Sequence, residues 1–432
     1  MTGRTSKGAD PQPAAPGVHR TAAPEVLRTD APEVLRTDVL IIGGGFVGGT
    51  LACALGRAGL SSVVVEASRP ETVLDAGFDG RASAISLTSR RLLERVGLWA
   101  DMAPHAGPMC HIRVSDADSR LFLHYDYRDV GAEPFGHMVE NRHLRRAVIN
   151  GMQAEPLVRL LAPARVRRLD RDRGGVEAII DNDMRVFADL AVAADGRNSQ
   201  VRDEAGIRVT GWSYRQTAIV GAVEHEGDNG CVAHEHFLPA GPFAILPLEA
   251  HRSSIVWTEQ PRVAAMIMAL DEDAFNDELA RRFGDFLGPV RLVGPRWSYP
   301  LSLQWAERSV DERLALVGDA VHAMHPIAGQ GLNMGFRDVA ALTDVLSDAA
   351  GRGRDLGDRR VLADYERWRR FDNAAMMAAT DGLTRLFSND VAPLRLARDV
   401  GLAVVDRLPA VKRLFMRHAM GLIGDLPSLM RE

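Results

Sequence analysis

The stretch DVLIIGGGFVGG, residues 38–49, joins a run of β-branched and apolar residues to a glycine-rich turn. The run has the composition of a buried parallel strand. Gly43, Gly45 and Gly48 match the pattern G-x-G-x-x-G. In this pattern the first glycine permits a tight turn, the second lets a pyrophosphate approach the backbone, and the third lets the next helix pack against the strand. The N-terminus of that helix offers free N–H donors and partial positive charge to phosphates.

The residues that follow supply the context this motif requires. A helical stretch at residues 50–58 leads to a second apolar strand at residues 62–65, which ends at Glu66. This order predicts a doubly wound α/β fold that binds a dinucleotide. Because Glu66 would accept hydrogen bonds from a ribose and repel a 2′-phosphate, the adenosine is expected to belong to FAD or NAD rather than NADP.

Two later strands also end in an acid. The apolar run at residues 313–317 is followed by Asp319, and Gly329 then opens a predicted helix that reaches about residue 349. The run at residues 191–194 is followed by Asp195 and a glycine. An acid at a strand end can accept from a polyol, and a helix N-terminus can stabilise an anion. A flavin offers both a ribityl chain and, when reduced, a negative charge, so these acids favour FAD.

Composition narrows the possible partners. The net charge of −5 over 432 residues does not favour nucleic acid. The three cysteines are far apart, which argues against a disulfide framework. The chain contains no run of 18 apolar residues that would predict a spanning helix. Residues 1–35 are expected to be a disordered tail that leads into a duplication of APEVLRTD at residues 23–30 and 31–38. Only the second copy continues into an apolar strand, so it alone would be ordered.

Three motifs, GGGFVGG with its distant glutamate, AADGRNSQVR and RLALVGDAVHAMHPIAGQGLNMG, together resemble the fingerprints of flavoprotein aromatic hydroxylases with the para-hydroxybenzoate hydroxylase fold. Four further stretches resemble the ubiquinone-biosynthesis hydroxylases in particular: DGRASAISLTSRRLLERVGLW, VENRHLRRAV, WSYRQTAIV and HPIAGQGLNMG. The similarity extends from about residue 38 to the C-terminus. It implies an FAD-binding Rossmann-like α/β domain, a mostly antiparallel β-sheet substrate domain and a C-terminal helical region.

The resemblance also implies roles for individual residues. Pro326 would lie beside the flavin near its reacting carbon, whereas the residues suggest no general base. Arg81 and Arg142 match arginines near the cofactor, with a structural ion pair as the alternative for each. The full implied cofactor-binding set is Gly43, Gly45, Gly48, Glu66, Arg81, Arg142, Asp195, Gly196, Asp319, Gly329, Gly331, Leu332 and Asn333.

The implied chemistry is monooxygenation. In this family NAD(P)H reduces FAD, O₂ adds to the reduced ring, and the resulting C4a-hydroperoxyflavin transfers one oxygen atom to an aromatic ring. The implied substrate is a polyprenylated phenol or quinone precursor of ubiquinone. The alternatives are another aromatic or isoprenoid substrate on the same fold, and a catalytically silent FAD-binding scaffold. Proteins of a ubiquinone-biosynthesis complex are the expected partners.

The chain divides into expected regions. The FAD-binding domain would comprise residues 36–108, 126–211 and 304–385, the substrate domain residues 109–125 and 212–303, and the C-terminal helical region residues 386–432. Because the last region mixes arginines with apolar residues, its helices could lie on a membrane surface, dock a partner or pack on the protein's own core. We expect a cytoplasmic protein with peripheral contact to the inner face of the membrane.

No metal site is predicted by the histidine pattern. His322 and His325 are three residues apart, but the segment reads as a loop and no third ligand is evident. His234 and His236 share one face of a predicted strand, which we interpret as solvated.

Overall fold

The computed structural model describes residues 33–74, 77–116, 122–249, 251–324, 329–387 and 408–432, together with the backbone of Glu25–Leu27. Its helices are α1 Phe46–Arg57, α2 Pro70–Leu74, α3 Leu87–Arg95, α4 Asn141–Ala154, α5 Gln200–Glu204, α6 Pro261–Met268, α7 Glu272–Phe283, α8 Gln330–Gly351, α9 Arg359–Phe387 and α10 Pro409–Ala419.

The strands alternate with these helices in the first part of the chain and dominate its middle. They are β1 Glu25–Leu27, β2 Val34–Ile42, β3 Ser62–Val65, β4 Ala82–Ser86, β5 Ala106–Met109, β6 His111–Asp116, β7 Phe122–Asp126, β8 Gly136–Glu140, β9 Val158–Leu161, β10 Val166–Asp172, β11 Gly175–Ile180, β12 Arg185–Ala193, β13 Val209–His225, β14 Val232–Leu238, β15 Gly241–Pro247, β16 Arg252–Glu259, β17 Val290–Ala306, β18 Val310–Asp311, β19 Leu314–Leu316 and β20 His322–Ala323.

A nine-stranded sheet carries the glycine-rich turn. Its main path runs β10-β11-β12-β2-β3-β9, and β19 pairs with the end of β12. The pairs β12–β2, β2–β3, β3–β9 and β12–β19 are parallel. The predicted strand at residues 62–65 and the helix from about residue 330 are both confirmed. The predicted α/β class is confirmed with them.

The core of this part lies between the sheet and its helices. Helix α1 follows β2 directly, and the side of α1 that includes Leu51 and Leu55 is completely buried with Leu342 and Leu346 of α8. The other face of the sheet buries Leu40 and Leu314 among further apolar side chains. Burial on both faces explains why these strands read as continuous apolar runs.

An eight-stranded sheet forms the second layer, in the order β20-β17-β13-β16-β15-β14-β6-β7. Only the β14–β6 pair among these is parallel, so the prediction of a mostly antiparallel sheet from residues 212–303 is confirmed. Strands β6 and β7 extend this sheet beyond β14, so the segment at residues 109–125 contributes strands to it. Strands β4, β8 and β5 form a third, small antiparallel sheet.

The duplicated N-terminal segment corrects one expectation. We predicted that only the second copy would be ordered, but Glu25–Leu27 of the first copy pairs antiparallel with Val34–Arg36 of the second. The reason is an open edge: β3 pairs with β2 only from Val39 onward, so the earlier part of β2 is free on that side to accept another strand. The remaining residues of the predicted tail that precede Glu33 lie outside the described ranges.

Candidate active site

Four of the predicted site residues lie side by side because their strands do. In the parallel register, Ile42 of β2 pairs with Val65 of β3 and with Ala193 of β12, and Ala193 pairs with Leu316 of β19. The residues that follow these strand ends therefore line one edge of the sheet. In spatial order they are Glu66, Gly43, Asp195 and Asp319. The carboxyl edge of such a sheet is where α/β proteins bind their ligands.

Two glycines of the turn have no room for a side chain, whereas a third borders open space. Gly43 has φ +103°, and a Cβ there would lie 2.4 Å from the carbonyl oxygen of Ala194. A Cβ on Gly48 would lie 1.9 Å from the carbonyl oxygen of Gly43. At Gly45 a Cβ would meet no atom within 4 Å, so this glycine borders open space at the helix N-terminus. The turn has the shape of a cradle for a phosphate group.

Glu66 is held by the turn that it faces. The Gly44 N–H donates to Glu66 Oε2 at 2.8 Å, and the Ser68 N–H donates to Glu66 Oε1 at 2.7 Å. Each carboxylate oxygen can accept more than one hydrogen bond, so both keep capacity for a sugar hydroxyl. Glu66 thus stabilises the loop and stays available at its rim.

Asp319 sits on a single 3₁₀ turn, Gly318–Ala320, at the end of β19. Gly318 has φ +60°, and a Cβ there would lie 3.1 Å from Val47 of α1, so a glycine suits this position. The Asp319 side chain is exposed, yet burial raises the pKa of its carboxyl, partly offset by His322 and Arg197. Both observations fit a carboxyl on the wall of a recess enclosed by protein.

Asp195 has an unused acceptor. Its Oδ2 accepts a long hydrogen bond, 3.4 Å, from the Val201 N–H, while its Oδ1 is buried and has no hydrogen-bond partner among the described residues. The adjacent Gly196 has φ +84° and borders open space. A buried carboxylate oxygen without a donor is costly, so a donor from a bound ligand would satisfy it.

The N-terminus of α8 is anchored to strand β4. Gly329 has φ +62°, and a Cβ there would lie 2.7 Å from the Ala84 Cβ. The side chain of Asn333 accepts from the Ser86 N–H at 2.9 Å and donates to the Ala84 carbonyl at 2.9 Å. The Asn333 side chain is therefore structural. The first turn of α8 also contains Gly331 and Leu332, and its free backbone N–H groups favour negative charge at the helix N-terminus.

A buried charged network beneath the Asp319 turn was not anticipated from the sequence. Asp338 of α8 is fully buried and accepts from the Gly318 N–H at 3.0 Å, from His322 Nε2 at 2.7 Å and from Arg369 Nε at 2.7 Å. Burial acts to raise the pKa of Asp338, but His322 and Arg369 outweigh it and the pKa is lowered. This network fixes the turn that presents Asp319.

Arg81 and Arg142 both take part in ion pairs, and their role near the cofactor stays a prediction. Arg81 binds Asp79 at 2.7 Å and its guanidinium lies 4.8 Å from the ring centroid of Trp297. Arg142 binds Glu140 at 2.6 Å. The contact with Trp297 places Arg81 where the segment before β4 of the small sheet meets β17 of the eight-stranded sheet.

The predictions for Pro326 and for the histidines have different outcomes. Pro326, with His325, lies outside the described residues. His234 is only 8 % exposed and its ring lies 4.8 Å from that of Phe286, so the prediction of a solvated histidine face is wrong for His234. The His234 side chain packs against the segment after α7, which the strand's own pattern does not reveal.

The absence of a metal site stays a prediction. His322 is engaged with Asp338, as described above. The potential ligand atoms of His111, His124 and Asp126 lie within 4.8 Å of one another, but Arg128 binds both oxygens of the Asp126 carboxylate. An arginine in that position competes with a cation.

Comparison with known proteins agrees with this geometry. Residues 36–380 match the family model described as FAD binding domain. The structure of p-nitrophenol 4-monooxygenase PnpA from Pseudomonas putida superposes with a TM-score of 0.74 at 20 % identity, covering 90 % of this chain and 99 % of that one. The fold is that of the FAD-dependent monooxygenases of the aromatic hydroxylase class.

Closer relatives refine the assignment. The chain is 54 % identical over 396 residues to the ubiquinone hydroxylase UbiL of Rhodospirillum rubrum, covering 91 % of this chain and 92 % of that protein. It is 36 % identical over 386 residues to the 3-demethoxyubiquinol 3-hydroxylase of Escherichia coli, covering 89 % and 98 %. The chain belongs to the family of ubiquinone-biosynthesis hydroxylases.

Proposed function

We propose that this enzyme hydroxylates the aromatic ring of a polyprenylated phenol or quinone precursor of ubiquinone, with NAD(P)H and O₂ as co-substrates. The similarity to ubiquinone hydroxylase UbiL over nine-tenths of both chains carries this proposal. FAD, when bound, supplies the reduction and oxygen activation that no protein side chain provides. The protein binds and orients the cofactor and the substrate and excludes water.

The residues at the carboxyl edge of the nine-stranded sheet suit FAD. The Gly45 cradle and the α1 N-terminus would hold the pyrophosphate, and Glu66 the adenosine ribose. Asp319 would accept from the ribityl chain, and the unpartnered Asp195 Oδ1 would accept from a cofactor hydroxyl or amide. We propose the complete set as Gly43, Gly45, Gly48, Glu66, Arg81, Arg142, Asp195, Gly196, Asp319, Gly329, Gly331, Leu332 and Asn333, with Pro326 beside the reacting ring.

The substrate would lie between the two large sheets. We propose that residues 36–108, 126–211 and 304–385 bind FAD and that residues 109–125 and 212–303 form the substrate domain. Residues 386–432 would form a C-terminal helical region, whose described part at residues 408–432 includes α10. The contact of Arg81 with Trp297 marks the junction of the first two regions, and junctions of this kind are common ligand sites.

Helix α10 suits a membrane surface. None of the described helices combines the length and the apolar composition needed to span a bilayer. On α10, however, Leu414 is 56 % and Phe415 is 43 % exposed, beside the exposed Arg413 and the partly exposed Lys412. Apolar side chains next to cations bind anionic lipid surfaces. We propose peripheral association of a cytoplasmic protein with the inner face of the membrane.

Flotation with anionic liposomes tests this contact. The double variant Leu414→Glu, Phe415→Glu should remain in the soluble fraction at a salt concentration at which the wild type floats. Met266→Glu is the control, since Met266 is 64 % exposed on α6 and has no part in the proposed surface. Equal flotation of all three proteins would remove α10 from the proposal, as would a wild type that never floats. Co-purification from membranes would test the proposed partnership with other ubiquinone-biosynthesis proteins.

A lipid extract from a deletion strain tests the main proposal. The strain should accumulate a ubiquinone precursor that lacks one ring oxygen, and re-expression of the chain should restore the quinone. Purified FAD-loaded enzyme should convert the accumulated compound with NAD(P)H and incorporate one atom of ¹⁸O₂. Unchanged quinone content in the deletion strain would refute the proposal. Flavin that is bound but never reduced would favour the alternative of a silent scaffold.

A further inference from the structure

The two faces of the eight-stranded sheet have different neighbours. One face buries Trp257 and Phe243 against Phe275 and Leu279 of helix α7. The other face is turned toward the proposed FAD-binding region. There the Trp297 side chain of β17 donates a hydrogen bond to the Asp79 carbonyl at 2.6 Å. A substrate held between the two large sheets would contact this second face.

Glu235 of β14 belongs to the second face. Strand partners in register point to the same side of a sheet. Glu235 pairs with Val114 and Ala244, and the same row continues across the sheet to Trp297 through Val256 and Val220. Its neighbours His234 and His236 point to the opposite face, since side chains alternate along a strand. Glu235 is thus an acid in an otherwise apolar row that faces the proposed substrate space.

The surroundings of Glu235 are those of a recess. No described residue forms a hydrogen bond or an ion pair with its carboxyl. The side chain keeps partial exposure, yet the protein around it raises the pKa from 4.5 to about 7, with burial as the cause. A partly buried carboxyl without a cationic partner has no evident structural role, and its burial costs stability.

Glu235 lies next to an apolar cluster that includes a residue in contact with the α8 N-terminus. Ala233, two residues earlier on the same face, packs in one apolar cluster with Ala84 of β4. Ala84 in turn contacts the N-terminus of α8 through Gly329 and Asn333. Two residues along a strand span about 7 Å. The carboxyl is therefore one side-chain row along the sheet from the apolar cluster that contains Ala84.

We propose that Glu235 accepts the proton of the substrate's ring hydroxyl. The O–H bond of the phenol breaks, its electron pair stays on the phenolic oxygen, and the proton bonds to a carboxylate oxygen of Glu235. The phenolate donates electron density into the ring and makes the adjacent carbon a better acceptor of oxygen. After the new hydroxyl group forms, the proton returns to the product or to water. This assignment rests on the proposed ring hydroxylation.

The pH dependence of hydroxylation tests the assignment. Product formation by FAD-loaded wild type from a short-chain polyprenylphenol should rise with pH through about 7, where Glu235 becomes a carboxylate. Glu235→Gln should lose this rise and be slower by about a hundredfold at pH 8. Glu235→Asp should keep the rise at a reduced rate. Glu224→Gln, on β13 of the same sheet, should behave as wild type.

An infrared readout needs no turnover. Binding of the phenol at pH 8 should produce the carbonyl band of a protonated carboxyl in the wild type and no such band in Glu235→Gln. A Glu235→Gln enzyme with the wild-type rate and pH profile would overturn the assignment. So would loss of FAD content or thermal stability in Glu235→Gln and Glu235→Asp alike, which would indicate a structural role. A wild type that forms no hydroxylated phenol would instead count against the proposed function.

Discussion

The Asp338 network allows a quantitative test of how the fold holds the Asp319 turn. Asp338→Asn keeps the size of the side chain and removes its charge. The wild-type carboxylate accepts three hydrogen bonds, from the Gly318 N–H, His322 and Arg369, at 2.7–3.0 Å. The amide of asparagine can accept on its oxygen only, and its NH₂ group would face another donor. At least one of the three bonds is lost.

The expected cost follows from burial. Asp338 and His322 side chains are 0 % exposed and Arg369 is 2 % exposed, so water cannot replace the lost partner. Removing one member of a buried ion pair costs about 3–5 kcal/mol. Arg369 keeps hydrogen bonds to Asp372 at 2.9 Å and Asn373 at 2.6 Å, which favours the lower end. We expect a loss of about 3 kcal/mol in the free energy of unfolding.

Urea unfolding of the FAD-loaded protein, followed by circular dichroism, measures this loss. Asp348→Asn is the matched control, because Asp348 lies on the same helix and pairs with Arg352 at the surface, where the two side chains are 50 % and 67 % exposed. Such a pair contributes about 0.3–0.5 kcal/mol. Asp338→Asn should also bind FAD more weakly, since the Gly318 N–H loses its acceptor. If the two variants unfold within about 1 kcal/mol of each other, the network does not stabilise the turn as argued.

Three further outcomes can be measured on the same protein. Asp319→Ala should weaken FAD binding about tenfold or more, and Gln330→Ala should weaken it less. Fluorescence titration of the two apoproteins with FAD compares their affinities. Equal flavin content in the two purified variants would contradict this ranking. Gly48→Ala should prevent stable FAD loading, because its Cβ would lie 1.9 Å from the Gly43 carbonyl oxygen; retained flavin absorbance after gel filtration would refute the steric argument. The pKa of Asp338 in the folded protein is lowered from 3.8, so its carboxylate stabilises the wild type above that pH. This stabilisation is lost as the pH falls and the carboxylate is protonated. The difference in free energy of unfolding between wild type and Asp338→Asn should therefore shrink below about pH 4.

The cofactor side of the molecule is predictable from the sequence because that side depends on local rules. A glycine turn after an apolar strand is recognisable wherever it occurs. The next strand is just as local, and its predicted bounds, residues 62–65, are those of β3. Parallel strands then bring their carboxyl ends together without further information. The sequence alone therefore places Glu66, Asp195 and Asp319 at one edge of the sheet, although they are far apart along the chain.

The charged network under the turn could not be predicted in this way. Asp338 and Arg369 lie on α8 and α9, whose patterns indicate only that one side of each helix is buried. An acid within an apolar helical pattern could equally lie at the edge of the buried side. The register of the two helices decides that Arg369 Nε meets Asp338, and register is a property of packing.

On the substrate side, too, the sequence does not determine which polar side chains face the site. The alternation in His234-Glu235-His236 correctly separates the histidines from the glutamate, since side chains alternate along a strand. It does not reveal which face meets α7 and which meets the FAD-binding region. We assigned the histidines to solvent, but the structure buries His234 against Phe286, and Glu235 pairs with Ala244 in a row of the opposite face. A strand in the middle of a sheet has two packed faces, so the identity of the layer opposite each face, rather than the strand's own pattern, determines which polar residue is available for chemistry.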